Sequence, residues 1–301
     1  PIGYAATREA ALMLLATYNA APWDIDRSKI TLQELFNLWR EKKAPKMRLG
    51  SQRVLSSAIK HCARLYSTPY CQIKAYDMQD CIDNCGRGYA TQGAIKTLWK
   101  HLDALALEMD IVGKQYSALL ESESVPDTSR KVFSDDEVAR LWAHKDLPWA
   151  DSALFFLYTG FRISEALGMR IDAVDFEQQI MTGGVKTAAG KNRVVPIHSK
   201  ILHIVEARAA ASKSGYLFEY NGRRAHASEY YTVWADLMRS LGMQHVPHEC
   251  RHTFRSRLDS AGANRVCIDR LMGHKSGSTG ERVYTHKTLE ELRKNLELIT
   301  N

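Results

Sequence analysis

His248, Glu249 and His252 fit H-E-x-x-H, a spacing that can place two zinc-ligating imidazoles and a general-base carboxylate on one helical turn. The stretch that holds them, VPHECRHTFRSRL (246–258), also carries Arg251, Arg255 and Arg257. A hydrolytic zinc ion needs a third protein ligand, and the extended motif is broken because Arg255 stands where its glycine would be. Glu281 could offer a distant carboxylate, but it lies three residues before Tyr284, a residue with a better use. Three guanidiniums would also repel a divalent cation. The informative pattern is His-x-x-Arg, His248 with Arg251. The cysteines point the same way. Cys81 and Cys85 form one i, i+4 pair, with Cys62 and Cys71 upstream, and a thiolate site needs a second close pair. These four, with Cys250 and Cys267, read as buried or free thiols, and no metal is expected.

Three further stretches complete the pattern. YTGFRISEAL (158–167) puts Arg162 at the start of a short helix with Glu165 one turn on. GGVKTAAGKNRVV (183–195) carries Lys186, and LMGHKSGSTGERVYTH (271–286) carries His274 and Tyr284. Together with HECRH these stretches resemble the tyrosine recombinase (phage-integrase-type) family, clearly over 132–301. Among its members the tail VYTHKTLEELRKNLELI is most similar to integrases of conjugative transposons and temperate phages. Taken singly, Arg162 or His274 would more often be a surface or capping residue, and Tyr284 an aromatic on an amphipathic helix. Chance rarely places all six in order.

The resemblance implies a strand-transfer chemistry with assigned roles. Tyr284 is the nucleophile, making a 3′-phosphotyrosyl link and freeing a 5′-hydroxyl. A phenol with a pKa near ~10 is weak at neutral pH and needs help from its neighbours. Arg162 and Arg251 match the two arginines that clamp the non-bridging oxygens, a task suited to a planar guanidinium fork. His248 matches the histidine that shares proton transfer with the tyrosine, and His274 the one that donates to the phosphate. Lys186 holds the hairpin position of the acid that protonates the leaving 5′-oxygen; Lys191 and Arg193 are close enough to compete for that assignment. Glu165 orients the arginines from behind, and His252 is structural. No cofactor, metal or ATP is implied, because the covalent intermediate conserves the bond energy. His274 to Tyr284 spans ten residues, one longer than in many relatives.

The elements that must position these groups are mostly helices. Thr31 and Glu34 have capping-box spacing, and Leu32, Leu35, Phe36 and Trp39 then repeat at helical period. Val54 to Leu65 and Ile95 to Met109 show the same period. Ser134 and Glu137 open another capped helix, followed by helices through ALFFLYTG and RISEAL. Residues 179–197, β-branched with a glycine-rich centre, read as a small antiparallel sheet, and helices are expected to fill the rest. The expected fold is mainly α with a small antiparallel β-sheet: a helical core-binding domain plus a tyrosine-recombinase catalytic domain. The expected boundaries are 20–120 for the core-binding domain, 121–131 for a polar linker and 132–301 for the catalytic domain with its C-terminal tail. Residues 1–19 read as the remnant of an N-terminal arm-binding domain and its connection, since Pro1 opens in mid-pattern without an initiating Met.

The chain has 301 residues, is 45% hydrophobic and 25% charged, and contains no apolar run near the ~20 residues that a membrane span requires. A soluble, cytoplasmic bacterial protein is expected. Its net charge of +7 favours a polyanionic partner. Between Trp39 and Arg64 lie eight basic residues and one acid, Glu41. Lys42, Lys43, Lys46, Arg48, Arg53 and Lys60 are the candidates for phosphate contacts, although such a run can also be an ordinary solvated face. The partners implied by the resemblance are double-stranded DNA with core sites, a homo-tetramer on two duplexes joined through the C-terminal tail, and an excisionase-type accessory protein. Leu289, Leu292, Leu296 and Ile299 make one apolar stripe on that tail, which could fold back locally or dock on a neighbour. The leading function is integration and excision of a mobile element by site-specific recombination. The alternatives are a catalytically silent DNA-binding relative and a type IB topoisomerase.

Overall fold

The computed structural model describes residues 5–20, 27–125, 131–184, 192–274 and 287–300. The chain divides into two compact units, 1–128 and 129–301. Helices dominate both, and the second also holds a small antiparallel sheet.

In the first unit the helices are α1 (Arg8–Ala20), α2 (Leu32–Lys42), α3 (Leu49–Ala58), α4 (Ala75–Asp83) and α5 (Tyr89–Glu108). The start of α2 is the capping box its sequence predicts. The Thr31 hydroxyl accepts from the Glu34 N–H at 3.3 Å, and the Glu34 carboxylate accepts from the Thr31 N–H at 2.9 Å. The apolar stripe of α2 shares one core with Ile95, Leu98, Trp99 and Leu102 of α5. The periodic run after Val54 is a helix only as far as Ala58 and then tightens into a 3₁₀ segment, Ile59–Leu65. Ile59, Cys62 and Leu65 explain the change: spaced by three, they fall on one buried line at three residues per turn.

The second unit contains α6 (Asp135–Ala143), α7 (Ala150–Thr159), α8 (Ile163–Ala166), α9 (Leu202–Ala211), α10 (Ala227–Ser240), α11 (Pro247–Ser260), α12 (Arg265–Met272) and a C-terminal helix, Leu289–Leu296. Every residue of α7 but Asp151 is buried, as expected of a helix that is apolar on nearly every side. The sheet runs β1 (Val174–Asp175), β2 (Ile180–Gly183) and β3 (Arg193–Pro196), all antiparallel, so one strand precedes the segment that the sequence marked. A second correction concerns 219–224, expected to be helical. It is a hairpin of β4 (Glu219–Tyr220) and β5 (Arg223–Arg224), turned by Asn221 and Gly222, both with positive φ. Asn-Gly is the residue pair that a tight turn with two left-handed positions selects.

The C-terminal stripe is buried in the chain's own second unit. Leu292, Leu296 and Ile299 belong to its core, each such side chain contributing about 1.5–3 kcal/mol by burial. Polar contacts fasten the same segment: Ser199 Oγ donates to Glu297 at 2.6 Å, the Asn264 N–H donates to Asn295 Oδ1 at 2.6 Å, and Arg293 Nη2 donates to the Gln178 carbonyl at 2.6 Å.

Gly160 sets how closely α7 and α11 approach. It ends α7 in the left-handed conformation, φ +61°, and a Cβ added there would lie 2.7 Å from Cε1 of the buried Phe254 on α11. Gly160→Ala should therefore destabilise the second unit by about 2–4 kcal/mol, combining the left-handed cost with overpacking. Thermal melts should show a drop of roughly 5–15 °C for a unit of this size, and an unchanged melt would contradict the packing described here.

Candidate active site

The site residues in the described segments stand at or near the ends of helices: Arg162 at the start of α8, His248 and Arg251 in the first two turns of α11, and His274 just past α12. Arg162 follows the turn at Gly160 and is the N-cap of α8, whose third residue, Glu165, is fully buried at its side chain. The Glu165 carboxylate accepts from the Arg162 N–H at 3.0 Å and from Arg162 Nη1 at 2.9 Å. Its Oε2 also accepts from Nη2 of Arg193 at 2.9 Å. Burial alone would raise the Glu165 carboxyl; Arg193, then Arg162, hold it below the usual carboxylate range.

Arg251 lies one turn into α11 and is buried. Its Nη1 donates to the Gly160 carbonyl and its Nη2 to the Met272 carbonyl, so two chain ends are drawn onto one guanidinium. Burial, with the charges of Arg162 and Arg193 next, pushes it down to about 9, still protonated at neutral pH. Glu165 was expected to orient both proposed arginines. It holds Arg162 and Arg193, whereas Arg251 is held by backbone oxygens.

His274 follows Gly273, the left-handed cap of α12, and its N–H donates to the Asp269 carbonyl at 2.8 Å. Its Nε2 lies 3.0 Å from Arg251 Nη2. Nδ1 in turn faces Arg255 Nη1 at 3.5 Å and Asp269 Oδ1 at 3.9 Å; arginine can only donate and a neutral ring has one acceptor, so the shorter contact makes Nε2 the acceptor and leaves the proton to Nδ1. Burial, then the charges of Arg251 and Arg162, push this imidazole down to about 4. It is neutral at physiological pH. A neutral ring can still donate one hydrogen bond to a phosphate, after exchanging tautomer.

His248 is exposed on the first turn of α11, with its ring 4.9 Å from that of His252 in a T-shaped contact. Glu249, the carboxylate of the H-E-x-x-H match, accepts from the Val246 N–H at 3.1 Å and contacts His245 Nδ1 at 2.7 Å. It caps and anchors the helix instead of facing a metal. Among the described residues no three His, Cys, Asp or Glu side chains gather into a metal-binding group. Lys186, Lys191 and Tyr284 lie outside the described residues.

Of the basic residues in the first unit, Lys42, Lys46, Arg48, Arg53 and Lys60 are exposed. Lys43 is half-buried and pairs with Glu108 at 2.6 Å, which removes much of its charge from any surface field. Two residues important to the site escaped the sequence reading. One is Gly160, whose carbonyl receives Arg251. The other is Arg193, weighed only as a rival to Lys186. Its signal was strand parity: it alternates with exposed Val194 and shares the inward face with Val195.

Residues 131–291 match the model described as the phage integrase family. The chain belongs to the phage integrase family. Among curated proteins it is similar to tyrosine recombinase XerA of Pyrococcus horikoshii, 31% identical over 187 residues, 59% of this chain and 64% of that protein. It is also similar to XerA of Thermococcus kodakarensis, 32% identical over 188 residues, 59% of this chain and 66% of that protein. The alignments thus span just under two thirds of these relatives. Among solved structures, the Tn1549 transposon integrase in complex with circular intermediate DNA shares the fold with TM-score 0.66 at 20% identity, covering 89% of this chain and 99% of that one. A lambda integrase tetramer bound to a Holliday junction shares it with TM-score 0.72 at 14% identity, covering 92% and 90%.

Proposed function

We propose that this phage integrase family member is a site-specific DNA recombinase that integrates and excises a mobile element through a 3′-phosphotyrosyl intermediate. The observation that supports the reading is the cluster of Arg162, Arg251 and His274, with Arg162 held by the buried Glu165 carboxylate and Arg251 by two backbone carbonyls. Arg251 and His274 are in contact, and Arg162 is close enough for its charge to depress both. With Arg193 and Arg255 adding further positive charge nearby, such a cluster favours an anion, and a phosphodiester passing through a phosphorane is an anion that gains charge.

The roles follow from the chemistry. Tyr284 Oη attacks the phosphorus while its proton passes to His248. The P–O bond to the 5′-carbon's oxygen breaks, and Lys186 protonates that leaving oxygen. Arg162 and Arg251 neutralise the non-bridging oxygens, and His274 donates to one of them. One ester replaces another, so the step needs neither metal nor nucleotide. The proposed partner is double-stranded DNA bearing core sites. Residues 20–120 act as the core-binding domain, and exposed Lys42, Lys46, Arg48, Arg53 and Lys60 contact phosphates. A lambda integrase of the same fold is a tetramer on a Holliday junction, and we carry that assembly over to this chain. An excisionase-type protein would bias direction. The tail covers its own unit here, so docking on a neighbour would first require its release. No described helix is long and apolar enough to cross a membrane.

The deciding experiment is a nicked suicide substrate carrying a core site. The full chain should accumulate a protein–DNA adduct on the 3′ side of the break, unaffected by EDTA. Lys186→Ala should be slow on ordinary DNA and recover on DNA with a 5′-bridging phosphorothiolate, whose sulfur leaves without a proton. If that substrate restores nothing, Lys191 becomes the candidate acid. The absence of any adduct would support a silent DNA-binding relative, and relaxation of plasmids lacking a core site would support a topoisomerase.

A further inference from the structure

Arg193 is a buried ion that the proposed chemistry leaves unused. Its side chain is 4% exposed. It begins β3 in register with Gly183 of β2, and its guanidinium lies 4.4 Å over the ring of Phe161. Gly183 has no Cβ where one would stand 2.7 Å from that same ring, so the strand pair closes on Phe161 from the Gly183–Arg193 rung. Nη2 of Arg193 donates to Glu165 Oε2 at 2.9 Å, and Nε donates to the Leu271 carbonyl at 3.1 Å. Each of these neighbours adjoins a proposed catalytic residue. Phe161 precedes Arg162, Glu165 binds Arg162, and Leu271 lies in the last turn of α12, three residues before His274.

Stability alone is a poor reason to bury this cation. Desolvating a guanidinium is costly, and well-packed apolar residues usually do as well as a buried ion pair. Among the described residues Nη1 of Arg193 has no hydrogen-bond partner, so even its own donors are incompletely satisfied. What the side chain does supply is a fixed geometry. Glu165 Oε1 accepts from the Arg162 guanidinium, while Oε2 is shared between Arg193 and the Arg162 N–H, so Arg193 is the long-range contact that helps fix how the carboxylate is aimed.

We infer that Arg193 is a positioning residue for strand transfer, holding the buried Glu165 carboxylate so that it aims Arg162 at the scissile phosphate while tying the end of α12 to the same point. Arg193 also keeps Glu165 ionised against burial, and a protonated carboxyl would be a weaker acceptor for Arg162. The inference rests on the strand-transfer reading of Arg162.

The test compares two substrates on the full chain. One is an ordinary phosphodiester; the other carries a methylphosphonate at the scissile position, where one charged oxygen is replaced by methyl. With less charge to neutralise, the second substrate depends less on a well-aimed guanidinium. Arg193→Met should slow phosphodiester cleavage by about 10²-fold, as misplacement of a clamp by about 1 Å can do, yet slow methylphosphonate cleavage by no more than about 3-fold. Arg193→Lys, which retains a charge for Glu165 but loses the planar fork and the Leu271 bond, should fold and lose about 10-fold on the phosphodiester alone. DNA affinity should be unchanged in both. Equal losses on the two substrates would mean that Arg193 is only a structural staple, and a lysine variant with wild-type rates would overturn the inference even if the methionine variant fails to fold. Arg162→Ala separates the two levels. If it loses nothing on the phosphodiester, the reading of the site fails; if it loses activity while Arg193→Lys does not, only the inference about Arg193 fails.

Discussion

Arg251→Ala should lower single-turnover DNA cleavage by at least about 10²-fold, the usual consequence of removing a fixed donor aimed at developing charge. The structure makes the loss larger than that of an exposed clamp. Arg251 is 3% exposed and bonds the carbonyls of Gly160 and Met272, so its removal leaves two buried acceptors unpaired. Each orphaned acceptor costs about 1–3 kcal/mol, and the variant should be less stable by about 2–5 kcal/mol overall. It also frees His274, whose Nε2 sits 3.0 Å from the lost guanidinium. With its nearest cation gone, the imidazole should titrate closer to the ordinary histidine value. Cleavage must therefore be measured at a temperature where a melt shows the variant folded, and at saturating DNA. Under those conditions a rate within about threefold of the wild type would remove Arg251 from the clamp.

Tyr284→Phe should bind core-site DNA like the wild type and form no covalent adduct on the suicide substrate. Only a hydroxyl is removed, so the change bears on chemistry rather than on charge or size. The phenol is the one group proposed to become covalently attached, and neighbours can speed its attack without replacing it. The expected loss is thus complete to the limit of detection, beyond that for any arginine variant. An adduct at undiminished yield would transfer the nucleophile to another side chain and take the 3′-phosphotyrosyl mechanism with it. A variant that no longer binds DNA would instead show that the tyrosine supports the fold.

Much of the helical framework was legible because its signals are local. Thr31 with Glu34 and Ser134 with Glu137 form capping boxes wherever they stand three apart ahead of an apolar run, and both do so here. Where local signals were misread, the reason is also local: the Asn221-Gly222 turn was in plain view, and the three-residue spacing of Ile59, Cys62 and Leu65 suits 3₁₀ geometry better than α. The types and order of Arg162, Lys186, His248, Arg251, His274 and Tyr284 were likewise enough to show the resemblance to the tyrosine recombinase family from which the proposed chemistry follows, although Lys186 and Tyr284 lie outside the described residues.

Partner choice was beyond the reach of sequence. Glu165 could have faced either proposed arginine and instead divides itself between Arg162 and Arg193, 28 residues away in the chain. Lys43 looked like one more cation in a basic run until packing set Glu108 against it, 65 residues on. The protonation state of His274 depends on burial and on Arg251, which reaches it across 23 residues. The apolar stripe of the tail specified that Leu292, Leu296 and Ile299 must be covered, and the tertiary structure decided that their own unit covers them. The physical division is one of range. Capping, periodicity and turn chemistry act over a few residues and are written in the order of the chain, whereas the aim of a guanidinium and the charge of an imidazole depend on groups that only folding brings within bonding distance.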